Sequence, residues 1–159
     1  MSYNVKETSV SNTTPVQHRP GKLSGHVALV TGAGSGMGRA GAVAFAREGA
    51  SVVINYHGDE DAAEETRRQV EEEDGSAIVA RADVGVEDVE RLFARVEETF
   101  GPVTLLMNNA GVDASGMQVA ALSLDAWSAM IASNLNGPFL CARRFIRAAR
   151  AQGGWSGIG

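Results

Sequence analysis

From His26 onward, short apolar runs rich in β-branched residues alternate with longer stretches whose apolar positions recur at helical spacing. The runs at 26–32, 51–56 (SVVINY), 76–82 (SAIVARA) and 103–108 (VTLLMN) suit strands buried on both faces of a parallel sheet. Helices are expected over 36–48, 60–74, 86–100 and, as one long element, about 124–151. The third has the clearest face: Val89, Leu92, Phe93, Val96 and Phe100 make one apolar stripe, which Gly101 and Pro102 end. In the last, Trp127, Met130, Ile131, Leu135 and Phe139 follow the same spacing and are expected in the core. Strand and helix in strict alternation build successive βαβ units around one doubly wound sheet.

A chain of 159 residues with 44% apolar content is long enough for one domain with a real core. Residues 1–25 stand outside the pattern. They are rich in Ser, Thr and Asn, carry Pro15 and Pro20, and lack the features of a signal or transit peptide, so a flexible N-terminal arm is expected there. The domain then runs over 26–151. The tail 152–159 (QGGWSGIG) has no β-branched run to serve as a fifth strand and reads as an atypical or truncated end.

Charge and cysteine content narrow the function classes. A formal net charge of −5 argues against a nucleic-acid or anionic-membrane partner. No apolar run approaches the roughly 20 residues that span a bilayer, and the lone Cys141 makes no intramolecular disulfide, so a cytoplasmic setting is expected. The acidic run on the second helix, Glu64, Glu65 and 71–74, reads as a solvated face. No metal site is expected.

The chemistry begins at 31–38, TGAGSGMG, directly after the first strand and opening the first helix. In such a turn backbone amides and the positive helix end face an anion. Gly32 permits the tight exit from the strand, Gly36 lets the backbone approach a pyrophosphate, and Gly38 lets the helix pack closely on the sheet, with Ser35 and Met37 completing the turn. A glycine-rich turn alone is weak evidence, but here strand and helix flank it as a dinucleotide cradle requires. The expected fold class is therefore α/β, a Rossmann-type doubly wound parallel sheet, incomplete at about four strands, in the order 3-2-1-4.

That turn, with NNAG at 108–111, resembles the short-chain dehydrogenase/reductase family of nicotinamide-dependent oxidoreductases over about residues 22–151. The segments VVINYHGDEDAAEE, NNAGV and SLDAWSAMIASNLNGPFL look most like its glucose 1-dehydrogenases, with 3-oxoacyl-carrier-protein reductases close behind. The resemblance implies hydride transfer between the cofactor and a sugar or other alcohol or carbonyl. It gives Asp83, followed by Val84, the adenine end of the cofactor, and places Asn109, Ala110 and Gly111 beneath the ribose and nicotinamide side. Asn108 and Asn109 also read as side chains that fix the local backbone. Asn134 would hold a water serving the active-site lysine. Pro138, four residues on, cannot donate a helical hydrogen bond to the Asn134 carbonyl, so a bend is expected there. An apolar helix over 124–151 also suits a homo-oligomer contact.

An NAD site places an acid about 20 residues past the glycine turn, on the ribose 2′-hydroxyl. Here that position is Tyr56, followed by His57. With no acid present, His57 and the Ser35 hydroxyl are left to face a 2′-phosphate, and the segment resembles those of NADP-using or dual-specificity relatives. NADP is favoured and NAD is a second possibility. The family also uses a catalytic Ser, Tyr and Lys, with the Lys four residues after the Tyr. The tyrosines are Tyr3 and Tyr56, and the lysines Lys6 and Lys22. None stands in that relation, so the 159 residues are expected to be inactive alone. The rival expectation is a non-catalytic nucleotide-binding or interaction module.

Overall fold

The computed structural model of the protein describes residues 21–85, 88–113 and 116–153. Its elements alternate as the apolar pattern requires: β1 (Val27–Val30), α1 (Gly36–Arg47), β2 (Ser51–Tyr56), α2 (Glu60–Glu71), β3 (Ser76–Arg81), α3 (Val89–Phe100) and β4 (Leu105–Met107). A 3-10 turn at Val119–Ala121 leads into α4 (Leu124–Ile131), a π-helical segment (Ala132–Asn136) and α5 (Gly137–Ala151). Among the described residues the strands form one parallel sheet in the order β3-β2-β1-β4.

Successive strand residues face opposite sides of the sheet, and this divides the core in two. Ala28, Val30, Val52 and Ile54 pack against Ala42 and Ala46 of α1 and Ala63 and Val70 of α2. Leu29, Val53 and Ala80 pack on the other side against Leu92, Phe93 and Val96 of α3 and Cys141 of α5. The α3 stripe is buried as its spacing requires, with Phe100 partly buried at its end and Gly101 in the left-handed region at φ 88°.

Several boundaries differ from the sequence reading. The first and fourth strands are shorter than 26–32 and 103–108; just past their ends, the Thr31 hydroxyl takes over by accepting from the amides of Asn109 and Ala110. The second helix stops at Glu71, three residues before 74, where the chain turns through Asp74 at φ 56°. Residues 21–25, expected within the arm, form a turn docked on the end of α1: the Lys22 and Leu23 amides donate to the Glu48 carboxylate and carbonyl. The rest of the arm, and the tail from 154, lie outside the described residues.

The helix expected over 124–151 is widened to π geometry immediately before Pro138, whose missing N–H breaks the regular ladder. The apolar positions expected in the core along it lie elsewhere. Trp127, Leu135 and Phe139 are half or more exposed, Phe139 at 60%, and Met130 and Ile131 are only partly buried. Gly137, Cys141, Leu140 and Phe145 carry the inward face instead. The helical period was right, but it does not say which of two apolar stripes meets the sheet.

Candidate functional site

The chain crosses from one flank of β1 to the other between β3 and β4, so the carboxyl ends of β1 and β4 flank a switch point where α/β folds bind ligands. Thr31 joins the two ends. Its hydroxyl accepts from the amides of Asn109 (2.9 Å) and Ala110 (3.0 Å). Asn109 answers with its side-chain amide, which donates to the carbonyls of Thr31 and Gly32, both at 3.0 Å. The backbone-fixing role read for Asn109 is thus visible directly, and it holds the glycine turn itself.

Two glycines in that turn have distinct physical requirements. A β-carbon on Gly38 would lie 2.5 Å from both the Asn109 amide nitrogen and the Gly32 carbonyl oxygen, so α1 approaches the strand ends only without a side chain there. Gly36 has φ 55° and open space in front of it, with nothing within 4 Å of a β-carbon. Ser35 caps α1 in an extended conformation, but its hydroxyl makes no capping bond, and no acid occupies the first helical turn. No acid of the first turn offsets the positive end of α1, the kind of helix end that accepts an anion. Met37 lies beside it, 79% exposed.

A cleft of about 460 Å³ opens next to the turn, lined by Gly32, Asn55 and His57 on one side and by Asp83, Val84 and Gly85 at the end of β3. Ala110, Gly111, Val112, Ala129, Ala132 and Ser133 close it. Asp83 directs one carboxylate oxygen to the Gly85 amide (2.9 Å) and the other toward His57 Nδ1 (3.5 Å). His57 is exposed, and its carbonyl accepts from Arg81 Nε at 3.1 Å. Tyr56 does not line this cleft. It is 7% exposed in the core beneath α1 and α2, where burial first and Glu60 second push its phenol above the ordinary range. A phenol so placed stays protonated near neutrality.

On the far side of the 110–112 segment, Asn108, Asp113, Asn134 and Pro138 line a wider cleft of about 680 Å³. Asn134 sits in the π segment, and its side chain exchanges two hydrogen bonds with the Val112 backbone. Asn108 donates to the Pro138 carbonyl at 3.4 Å. The structure therefore brings Gly32, Asp83, Val84, His57, Ala110 and Gly111 around one cleft, with Ser35, Gly36, Met37 and Gly38 at the helix end beside Gly32. Asn134 stands across the loop.

Sequence reasoning missed Asn55. Its side chain is buried, with Oδ1 accepting from the Gly32 amide (3.4 Å) and Nδ2 donating to the carbonyls of Ala80 (3.1 Å) and Ala82 (3.0 Å). The available signal was a lone amide in the otherwise apolar strand SVVINY, since a buried polar group must be satisfied. Among the described residues no group of His, Cys, Asp or Glu side chains is placed to hold a metal ion. No described helix is long and apolar enough to cross a membrane.

Fold and turn together are those of an α/β protein of the Rossmann type. The short chain dehydrogenase family model matches residues 26–155, and the chain belongs to that family. It is 40% identical to a short-chain type dehydrogenase/reductase of Picea abies, with 83% of this chain and 52% of that protein covered. It is 35% identical to glucose 1-dehydrogenase 2 of Bacillus subtilis, covering 76% of this chain and 47% of the relative. Among solved structures it resembles LugOII, a promiscuous reductase that catalyses keto-reduction at C1 during lugdunomycin biosynthesis. The TM-score is 0.72 at 41% identity, over 79% of this chain and 55% of that one. A short chain dehydrogenase from Mycobacterium avium matches with a TM-score of 0.76 at 36% identity, over 84% and 50% of the two chains. The chain spans about half the length of the relatives it matches.

Proposed function

We propose that this chain is the cofactor-binding part of an oxidoreductase that moves a hydride between NADP(H) and a sugar or other alcohol or carbonyl compound, with NAD(H) accepted less well. The observation that carries the reading is the Gly36 turn, left open in front of an uncompensated helix end and backed by the Thr31–Asn109 joint. The nicotinamide ring gives or takes the hydride when bound. The residues of this chain bind and orient: amides at 35–38 hold the pyrophosphate, Asp83 and Val84 the adenine, and Ala110 and Gly111 the ribose and nicotinamide side. The preference for NADP rests on the absence of an acid at position 56, where an NAD site has one, and on His57 and the Ser35 hydroxyl, which makes no capping bond, as the groups offered to a 2′-phosphate. Asn134 supports the site by holding the 111–112 backbone and, through its carbonyl, a water.

The 159 residues contain no tyrosine with a lysine four positions on, and positioned acid–base groups contribute about 10²–10⁴-fold to such a reaction. The chain alone accordingly binds cofactor without turning it over. This favours a second reading, a non-catalytic dinucleotide-binding or interaction module. The exposed Leu135 and Phe139 then serve a homo-oligomer contact along 124–151, and the buried Cys141 fits a reducing cytoplasm.

The test is NADPH absorbance with glucose and other alcohols or their carbonyl products, beside thermal melts with and without cofactor. Cofactor-dependent stabilisation without turnover by the short chain, and turnover when a longer chain supplies Ser, Tyr and Lys, supports the oxidoreductase reading. Stabilisation with no turnover from any longer chain selects the module. No stabilisation by either cofactor overturns both.

A further inference from the structure

Arg39 and Thr66 are absorbed by none of the roles above, yet both are directed at the glycine turn from behind. Thr66 is fully buried on α2. Its hydroxyl lies 3.0 Å from the Ala33 carbonyl, 3.1 Å from the Ala62 carbonyl one turn back on α2 and 3.3 Å from that of Gly34, so its one proton is shared among the three. Arg39, one turn into α1, places Nη2 at 2.5 Å from the Gly34 carbonyl and 3.2 Å from that of Ala62, while Nε donates to the Thr66 hydroxyl at 3.0 Å. With its oxygen accepting from Arg39, the hydroxyl has its single proton left for the carbonyls.

A turn that presents amides to a pyrophosphate must send its neighbouring carbonyls elsewhere, because a carbonyl oxygen facing a phosphate repels it. The carbonyls of Ala33 and Gly34 immediately precede the amides at 35–38, and rotating either peptide plane would point an oxygen where an N–H is needed. We infer that Arg39 and Thr66 are positioning residues for the cofactor phosphates: together they pin the Ala33 and Gly34 carbonyls toward α2, and so hold the following amides outward. The guanidinium suits this, since its several N–H groups reach the Gly34 and Ala62 carbonyls through Nη2 and the Thr66 hydroxyl through Nε. The inference rests on the dinucleotide reading above and extends it to residues that never touch the ligand.

The experiment compares two ligands on the 159-residue chain: NADPH, which engages the amides through its phosphates, and adenosine, which carries no phosphate. NADPH is titrated by its fluorescence and adenosine by NMR shift changes. Thr66→Val removes the hydroxyl at nearly constant volume and is expected to weaken NADPH about tenfold, the scale of one hydrogen bond to a charged group, with adenosine affinity unchanged. Thr66→Ser restores NADPH affinity. Arg39→Met reproduces the selective loss and serves as the second variant should Thr66→Val melt below the working temperature. Equal loss of NADPH and adenosine marks a general structural role and overturns the inference. So does NADPH affinity unchanged in both Thr66→Val and Arg39→Met. If the parent chain binds adenosine but neither NADPH nor NADH, the dinucleotide reading itself fails, and the brace falls with it.

Discussion

Asn134 and Val112 are joined by two hydrogen bonds of 2.8 Å, the Asn134 side chain accepting from the Val112 amide and donating to its carbonyl. One side chain thus acts as a strand neighbour for a loop residue, tying the π segment to the stretch just after Gly111. A β-carbon on Gly111 would lie 2.9 Å from Asn134 Oδ1, so the clamp also depends on that glycine. Asn134→Asp removes the donor and Asn134→Ala removes both groups. Either is expected to cost about 1 kcal/mol, because both partners are exposed enough for water to replace the lost bonds. Amide hydrogen exchange at Val112 provides the local reading: exchange accelerates in both variants, while core amides such as Leu29 change no more than overall stability does.

Gly38→Ala tests the joint between α1 and the strand ends. The added methyl would meet the Asn109 amide and the Gly32 carbonyl at 2.5 Å, and the turn held by Asn109 cannot give way without losing its bonds to Thr31 and Gly32. Urea unfolding is expected to show a loss of about 1–3 kcal/mol, the usual cost of overpacking. An unchanged midpoint would mean that helix and turn are further apart than described.

Two neighbours at the end of β2 are placed differently. His57 lines the cleft beside Asp83, whereas Tyr56 is buried under α1 and α2 near Glu60. His57→Ala is therefore expected to lower the affinity for NADPH relative to NADH with little effect on stability. Tyr56→Asp is expected to lower the melting temperature by removing a buried ring and leaving a carboxylate in the core, with the NADPH-to-NADH ratio unchanged because position 56 does not line the cleft. Paired titrations with the two reduced cofactors decide it. A ratio that His57→Ala leaves unmoved would place the ribose away from the end of β2.

These cases show what was legible in the sequence. Runs such as SVVINY name their own strand, and TGAGSGMG names its turn, because each signal lies within a few consecutive residues. The bonds from Thr31 to Asn109 and Ala110 span 78 and 79 positions, and those of Thr66 to Ala33 and Gly34 span 33 and 32. No local pattern encodes such pairs. Counting from the glycine turn lands on Tyr56, but the count does not say that this side chain is buried in the core while the next residue, His57, lines the cleft. On the long helix, Leu135 and Cys141 are both apolar, and only the packing against α3 shows that Cys141 is inside.

Burial pushes the Cys141 thiol up to about 11. The folded state therefore holds this proton more tightly than the unfolded chain does. Its contribution to stability is complete below the ordinary thiol value of 9.0 and is lost as pH rises from there toward 11. The same burial leaves few thiolates near neutrality, so Cys141 should not react with a thiol reagent such as DTNB at about pH 8 until denaturant is added. Rapid labelling of the native chain would show that the face of α5 against α3 opens freely.

The account rests most heavily on the open turn at Gly36, and NADPH titration of the parent chain beside Gly36→Asp addresses it directly. Aspartate there would place a carboxylate in the space in front of the α1 N-terminus and force a β-carbon onto a backbone at φ 55°. The strain costs about 1–3 kcal/mol, so circular dichroism must first show the variant folded at the working temperature. Saturable fluorescence change with the parent, and none with folded Gly36→Asp, is the result predicted. Equal NADPH affinity in the two proteins would contradict the assignment of this turn as the phosphate cradle.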